Sequence, residues 1–149
     1  VSVIELAYTP PVLLTSTAET AGFFDAARNG VLSVEQCSTC GRFRHPPRFV
    51  CPACRSFERH WQPVSGGGRI WSWIVVHPPL LPGFAELAPY NVVTVELVED
   101  PTVRFVGNLV EEVGGPPNEI DPASIVIGEP VHAVFAFAED VPVLQWVRD

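Results

Sequence analysis

All four cysteines of this 149-residue chain fall in one short stretch, as two pairs: Cys37-Ser-Thr-Cys40-Gly41 and Cys51-Pro-Ala-Cys54. A CxxC turn aims two sulfurs at one point, and two such knuckles supply the four thiolates of a closed tetrahedral metal site. Gly41 stands where a knuckle needs a positive φ, and Pro52 stiffens the second turn. With four sulfurs and no position left open to water or substrate, the chemistry is structural and the expected ion is zinc bound by Cys37, Cys40, Cys51 and Cys54. Iron in a rubredoxin-like site uses the same ligands and stays open at this stage. Disulfides and a thioredoxin-like dithiol fit less well, because the former expects a secretory signal and the latter a single CxxC at a helix start.

No catalytic set accompanies this site. The histidines, His45, His60, His77 and His132, show no HExxH-like spacing, GxSxG is missing, and every cysteine is committed to metal. Glu99-Asp100 and Glu111-Glu112 lie in turn and loop sequence, where solvated charge is the ordinary reading. The expectation is that no catalytic residue is present.

The elements that must hold the knuckles follow from local pattern. Residues 1–16 read as an arm, because Thr9-Pro10-Pro11 forbids helix and Val12-Leu13-Leu14 is a short apolar grip. Thr17 to Asn29 reads as a helix stopped by Asn29-Gly30; its adjacent Phe23 and Phe24 fit one small core poorly, which points first to a broad apolar face and second to one phenylalanine that reaches a partner. Val31–Gln36 alternates as a strand into the first knuckle, and Phe57, Trp61 and Val64 are placed to pack over the metal module. Ser65-Gly66-Gly67-Gly68 reads as a hinge; it lacks the GK[ST] of a phosphate loop. Five strand-like segments follow: Arg69–His77, Tyr90–Val98, Val103–Val110, Pro130–Ala138 and Val143–Val147. In the first of these, Trp71, Trp73 and Val75 alternate with Ile70, Ser72 and Ile74, which puts both tryptophans on one face. The fold expected is mainly β: an arm and helix over 1–30, a zinc ribbon over 31–65, and a five-stranded OB-type barrel over 66–149. Two long loops interrupt the barrel, and the first carries Leu80, Leu81 and Phe84 between prolines as a stiff apolar contact surface.

Composition narrows the partners. Net charge is −8, yet residues 36–69 carry six arginines against Glu58, whereas residues 70–149 carry twelve acids against Arg104 and Arg148. Every basic residue is arginine, the side chain that grips phosphate or carboxylate as a fork. OB barrels and zinc ribbons both occur in nucleic-acid binding, and paired Trp71 and Trp73 would suit base stacking, so single-strand binding is an alternative; the acidic barrel opposes it. No apolar run is long enough to span a membrane, and thiolate metal ligands suit a cytoplasmic protein. The chain contains no methionine, even at position 1, which fits either initiator removal or a domain cut from a longer polypeptide.

The order of features resembles the domain of unknown function 35 family, in which a helical start precedes a rubredoxin-like zinc ribbon and an acyl-CoA-associated OB-fold. The likeness rests on Phe23-Phe24 and Gly30-Val31-Leu32, on Gln36-Cys-Ser-Thr-Cys-Gly41, Pro46-Pro-Arg48 and Cys51-Pro-Ala-Cys54, and on Trp61, Ser65–Ser72 and Ile127-Gly-Glu-Pro-Val131. It runs from about Thr17 to Val147. The resemblance implies an accessory subunit beside a thiolase-fold enzyme in a hetero-oligomer, bridging subunits or presenting an acyl-CoA substrate. In some bacterial members the domain follows a MaoC-like hydratase and pairs with an aldolase that cleaves steroid side chains carried on CoA. A scaffold that never approaches substrate is a further alternative. If CoA is bound, Arg42, Arg44 and Arg48 are the candidates for its phosphates, against the plainer reading that they form salt bridges. Phe23, Phe24, Leu80, Leu81, Phe84, Trp71 and Trp73 are the candidates for a partner interface. Neither nucleic acid nor membrane is expected among the partners.

Overall fold

Before the helix, the Thr17 N–H donates to Thr20 Oγ1 at 2.9 Å and the two hydroxyls meet at 3.1 Å. This local turn competes with helical pairing, so α1 spans only Ala21–Ala27 rather than the Thr17–Asn29 its pattern suggests. The computed structural model describes residues 3–10, 15–78 and 81–149. The expected apolar grip Val12-Leu13-Leu14 and interface candidate Leu80 lie outside the described residues.

The knuckles sit on a three-stranded antiparallel sheet of order β2-β1-β3, with β1 at Ser33–Cys37, β2 at Phe43–Arg44 and β3 at Arg59–Pro63. β3 has no strand signature: Arg-His-Trp-Gln-Pro neither alternates nor favours extended backbone. Five paired positions along β1, from Ser33↔Pro63 to Cys37↔Arg59, impose it. α1 lies against this sheet at Gly22, where any Cβ would overlap the Trp61 indole. Only glycine permits so close an approach.

Five further strands close a barrel in the order β4-β5-β6-β8-β7: β4 Gly67–Val76, β5 Tyr90–Leu97, β6 Arg104–Leu109, β7 Pro130–Ala138 and β8 Val141–Arg148. Closure removes sheet edges everywhere but one seam. β6 and β8 run parallel and pair only at Asn108↔Gln145 and Leu109↔Trp146. Beyond those positions the strands part, and the opening is filled from outside: Phe23 of α1 stacks on Phe105 at 6.1 Å, and His45 of the ribbon stacks on the same ring at 3.9 Å. Helix, ribbon and barrel thereby share one core, in which Ala27, Leu32 and Val34 join Ile70, Val95, Phe105 and Trp146.

The register of β4 corrects one expectation. Ile70 pairs with Val95 but Ser72 with Thr94, so Trp71 is the extra residue of a β-bulge. Beyond the bulge the faces exchange: Trp73 pairs with buried Val93 and packs on the core, whereas Trp71 stays 47% exposed with the Arg104 guanidinium 3.8 Å over its ring. The two tryptophans do not share a face, and the stacking platform read from their spacing is absent.

Two buried amides fasten the long loop after β6. Asn91 donates to the carbonyls of Leu109 and Pro117 and accepts from the Leu109 N–H; Gln145 accepts from Gly114 N–H and donates to Gly115 C=O. Unpaired, such groups would each cost about 1–3 kcal/mol; satisfied, they fix the loop. Among the described residues no helix is long and apolar enough to cross a membrane.

Candidate functional site

The two knuckles are built alike. In the first, Gly41 N–H donates to Cys37 C=O and Cys37 N–H to Arg42 C=O; in the second, Arg55 N–H donates to Cys51 C=O and Cys51 N–H to Ser56 C=O, all at 2.9 Å. Gly41 has φ +78°, as its place in the sequence requires, and Arg55 takes the same left-handed conformation at φ +63° without a glycine's freedom. Thr39 and Ser56 join the knuckles through their hydroxyls at 2.7 Å.

The four sulfurs lie within 4.8 Å of one another, with Cys37 and Cys51 buried and Cys40 and Cys54 exposed. The Cys40 N–H lowers the Cys37 thiol, and the N–H groups of Cys54 and Ala53 bring Cys51 down to about 6. Cys54 goes the other way: its Ser56 N–H draws it down, but desolvation and the three neighbouring sulfurs push it up to about 11. Four sulfurs this close become thiolates together only around a cation. The donor set therefore fits a soft divalent metal in a tetrahedral, closed and hence structural site.

Directly beneath the knuckles lies a buried ion cluster that the sequence did not announce. The Glu35 side chain is fully buried; its Oε1 accepts from Arg44 Nη2 at 2.9 Å and Arg59 Nη1 at 2.8 Å, and its Oε2 from the Arg48 N–H at 2.7 Å. Arg44 is itself only 3% exposed, and its Nε and Nη1 find no partner among the described residues. Of the arginines considered for phosphate, Arg44 is thus committed to Glu35, Arg48 contributes its backbone there and keeps its side chain outside, and Arg42 is exposed. A lone Glu in a β-strand of alternating pattern gives no sign of this role; only its cross-strand register with Arg44 and Trp61 does.

A cleft of about 590 Å³ occupies the seam between ribbon, helix and barrel. Phe23, His45, Trp61, Phe84, Tyr90 and Phe105 are among the aromatic side chains that line it. His45 keeps part of its surface exposed, and the desolvation of the rest lowers its pKa. Among the interface candidates, Phe23 and Phe84 line this cleft, with Phe84 stacked on Tyr90 at 6.2 Å; Phe24 also borders it but is otherwise buried. Leu81 is exposed and Trp71 lies on the outer barrel wall, so the structure does not gather the candidates into one patch.

Residues 24–58 match the family model described as the ChsH2 rubredoxin-like zinc ribbon domain, and residues 61–136 that of the ChsH2 C-terminal OB-fold domain. A probable enoyl-CoA hydratase alpha subunit of Thermomonospora curvata is 39% identical over 113 residues, covering 76% of this chain and 32% of the relative. The 3-oxo-4,17-pregnadiene-20-carboxyl-CoA hydratase alpha subunit of Mycobacterium tuberculosis is 30% identical over 135 residues, covering 91% of this chain and 39% of the relative. The chain thus spans a third or so of the length of these curated relatives. Among solved structures, a chain of the Ltp2-ChsH2(DUF35) aldolase superposes with a TM-score of 0.76 at 33% identity, covering 91% of this chain and 98% of that one.

Proposed function

The chain belongs to the DUF35 family, as a rubredoxin-like zinc ribbon joined to an OB-fold of the ChsH2 type, and from that premise we propose that it is an accessory domain of an acyl-CoA aldolase rather than an enzyme alone. Its partner in this reading is a thiolase-fold subunit of the Ltp2 kind, and the reaction is retro-aldol cleavage of a side chain carried on CoA, in steroid degradation. The observation that carries the proposal is the end-to-end match with a chain of the solved aldolase. The residues agree with a supporting role: the one cluster of ligating side chains among those described is the tetrahedral cysteine set, which offers no open position for a substrate. The hydratase relatives suggest that a MaoC-like hydratase domain is joined or docked to it, so that hydration and cleavage occur in one assembly. The ion is assigned as zinc, held by Cys37, Cys40, Cys51 and Cys54.

The experiment is co-expression of this chain with an Ltp2-type subunit from the same host, followed by co-purification and a cleavage assay on each alone and on the mixture. Cleavage in the mixture only is the expected result. A partner fully active by itself, or one that never co-purifies, overturns the reading. Metal analysis of the same preparation should give one zinc per chain; a red, iron-loaded protein overturns that assignment.

A further inference from the structure

The second knuckle carries a surface that neither the core nor the cleft uses. Phe57 is 73% exposed, Phe49 52% and Val50 40%, although each is a large apolar side chain close in sequence to the second knuckle. Cys51 N–H donates to Ser56 C=O, which sets the backbones of Val50 and Phe57 on the two sides of the base of the knuckle. Phe49 stands beside them, held by the Arg59 guanidinium 4.8 Å from its ring centroid.

Charge defines the rim. Arg44 and Arg59 share the single carboxylate of Glu35, and Arg69, Arg104 and Arg148 are engaged by barrel groups. Arg42, Arg48 and Arg55, all exposed, have no acidic side chain within salt-bridge distance among the described residues. They surround the knuckles in the company of one exposed acid, Glu58. An aromatic centre with an arginine rim is the composition of an interface anchor, and exposed apolar groups of this size otherwise oppose solubility.

We propose that Phe49, Val50 and Phe57, rimmed by Arg42, Arg48 and Arg55, form the docking surface for an acidic, apolar-centred face of the partner subunit. This rests on the accessory-domain reading above and deepens it by naming the surface and the chemistry of what covers it. The rigid metal knuckle presents the aromatics already ordered, which reduces the entropy lost on docking. The arginines steer encounter and fix orientation through unlike charge.

The test is binding of the metal-loaded chain to the co-expressed Ltp2-type subunit, by titration calorimetry at low and high salt. Phe57→Ser and the triple reversal Arg42→Glu/Arg48→Glu/Arg55→Glu should each weaken binding by about tenfold or more, and the reversal should also remove the salt dependence. Trp71→Ser, on the outer barrel wall, should leave affinity within about twofold, as is usual for a residue outside the interface. Circular dichroism and zinc content of each variant establish that it is folded. A complex unaffected by both ribbon variants overturns this surface while leaving the accessory role intact. Loss of binding to adenosine 3′,5′-bisphosphate with unchanged partner affinity assigns the arginines to phosphate and equally overturns it. Wild-type chain that forms no complex overturns both proposals.

Discussion

At the scale of single residues, the ribbon sets two contrasts that can be measured. Glu35 is shared by Arg44, Arg59 and the Arg48 N–H, so its removal leaves buried guanidinium charge without compensation. Glu35→Ala is expected to cost about 3–5 kcal/mol in denaturant unfolding of the metal-loaded protein. Arg44→Met should cost far less, about 1–2 kcal/mol, because Glu35 keeps two donors and the two unpartnered nitrogens of Arg44 disappear with it. Equal losses would contradict this division. The knuckles give the second contrast: Gly41→Ala forces a side chain into a left-handed position and should destabilise by about 1 kcal/mol, whereas Arg55→Gly relieves one and should be neutral or stabilising by up to about 1 kcal/mol. Thermal melts of both variants, metal-loaded, check the signs. The spacing of the cysteines made Gly41 legible in the sequence; the left-handed turn at Arg55, which carries no glycine, was not. Glu35 was not, since nothing local distinguishes a buried shared carboxylate from a solvated one on a strand.

At the scale of elements, the seam between helix, ribbon and barrel depends on Gly22 and His45. Gly22→Ala drives a methyl into the Trp61 indole, so α1 must lift from β3. Hydrogen exchange across residues 21–27 should accelerate and Trp61 emission shift red, with the barrel strands unchanged; protection kept in α1 would show that the approach is not required. His45 tests the same seam by pH. Its folded pKa lies below the 6.5 of a free histidine because desolvation of the part of the ring laid on the seam disfavours the cation, while the rest stays exposed. Above 6.5 both states are neutral and nothing is lost. As pH falls below 6.5, the unfolded chain takes up a proton that the folded one resists, so stability declines until the lower folded value is passed. Urea unfolding at pH 7 and pH 5 should show this loss, and His45→Phe should reduce it. Elements with a strong period, β5 and β7 above all, were foreseen within a residue or two. β3 and the bulge at Trp71 were not, because cross-strand pairing overrides the local pattern at both.

At the scale of the whole molecule, ribbon and barrel look separable in sequence yet share a core that runs from Leu32 and Val34 to Ile70 and Trp146. The metal-bound ribbon should therefore melt with the barrel in one transition. Stripping the metal with a strong chelator removes binding energy from that common unit and should lower the single midpoint by about 10 °C or more. Two separate transitions in calorimetry, with the barrel's unmoved, would show that the core is not cooperative. The asymmetry of charge persists at this scale: Arg42, Arg48 and Arg55, without acidic partners among the described residues, lie on the ribbon, Arg69 of the barrel bonds only the Gly128 carbonyl, and the acidic excess lies on the barrel.

The sequence by itself determined the donor set and the mainly β architecture, because both are written in spacing or period that short-range geometry must obey. Two CxxC turns converge whatever surrounds them, and alternating apolar residues make strands wherever they pack. Tertiary structure alone decided which arginines are free. Arg44 and Arg48 are near neighbours with the same side chain, but the register of β1 with β2 buries one against Glu35 and leaves the other's side chain in solvent. It also decided that one tryptophan of a pair turns inward, that the β6–β8 seam opens, and that helix and ribbon close over it as a cleft. These outcomes depend on contacts between segments far apart in the chain, and such contacts leave no mark in the local order of residues.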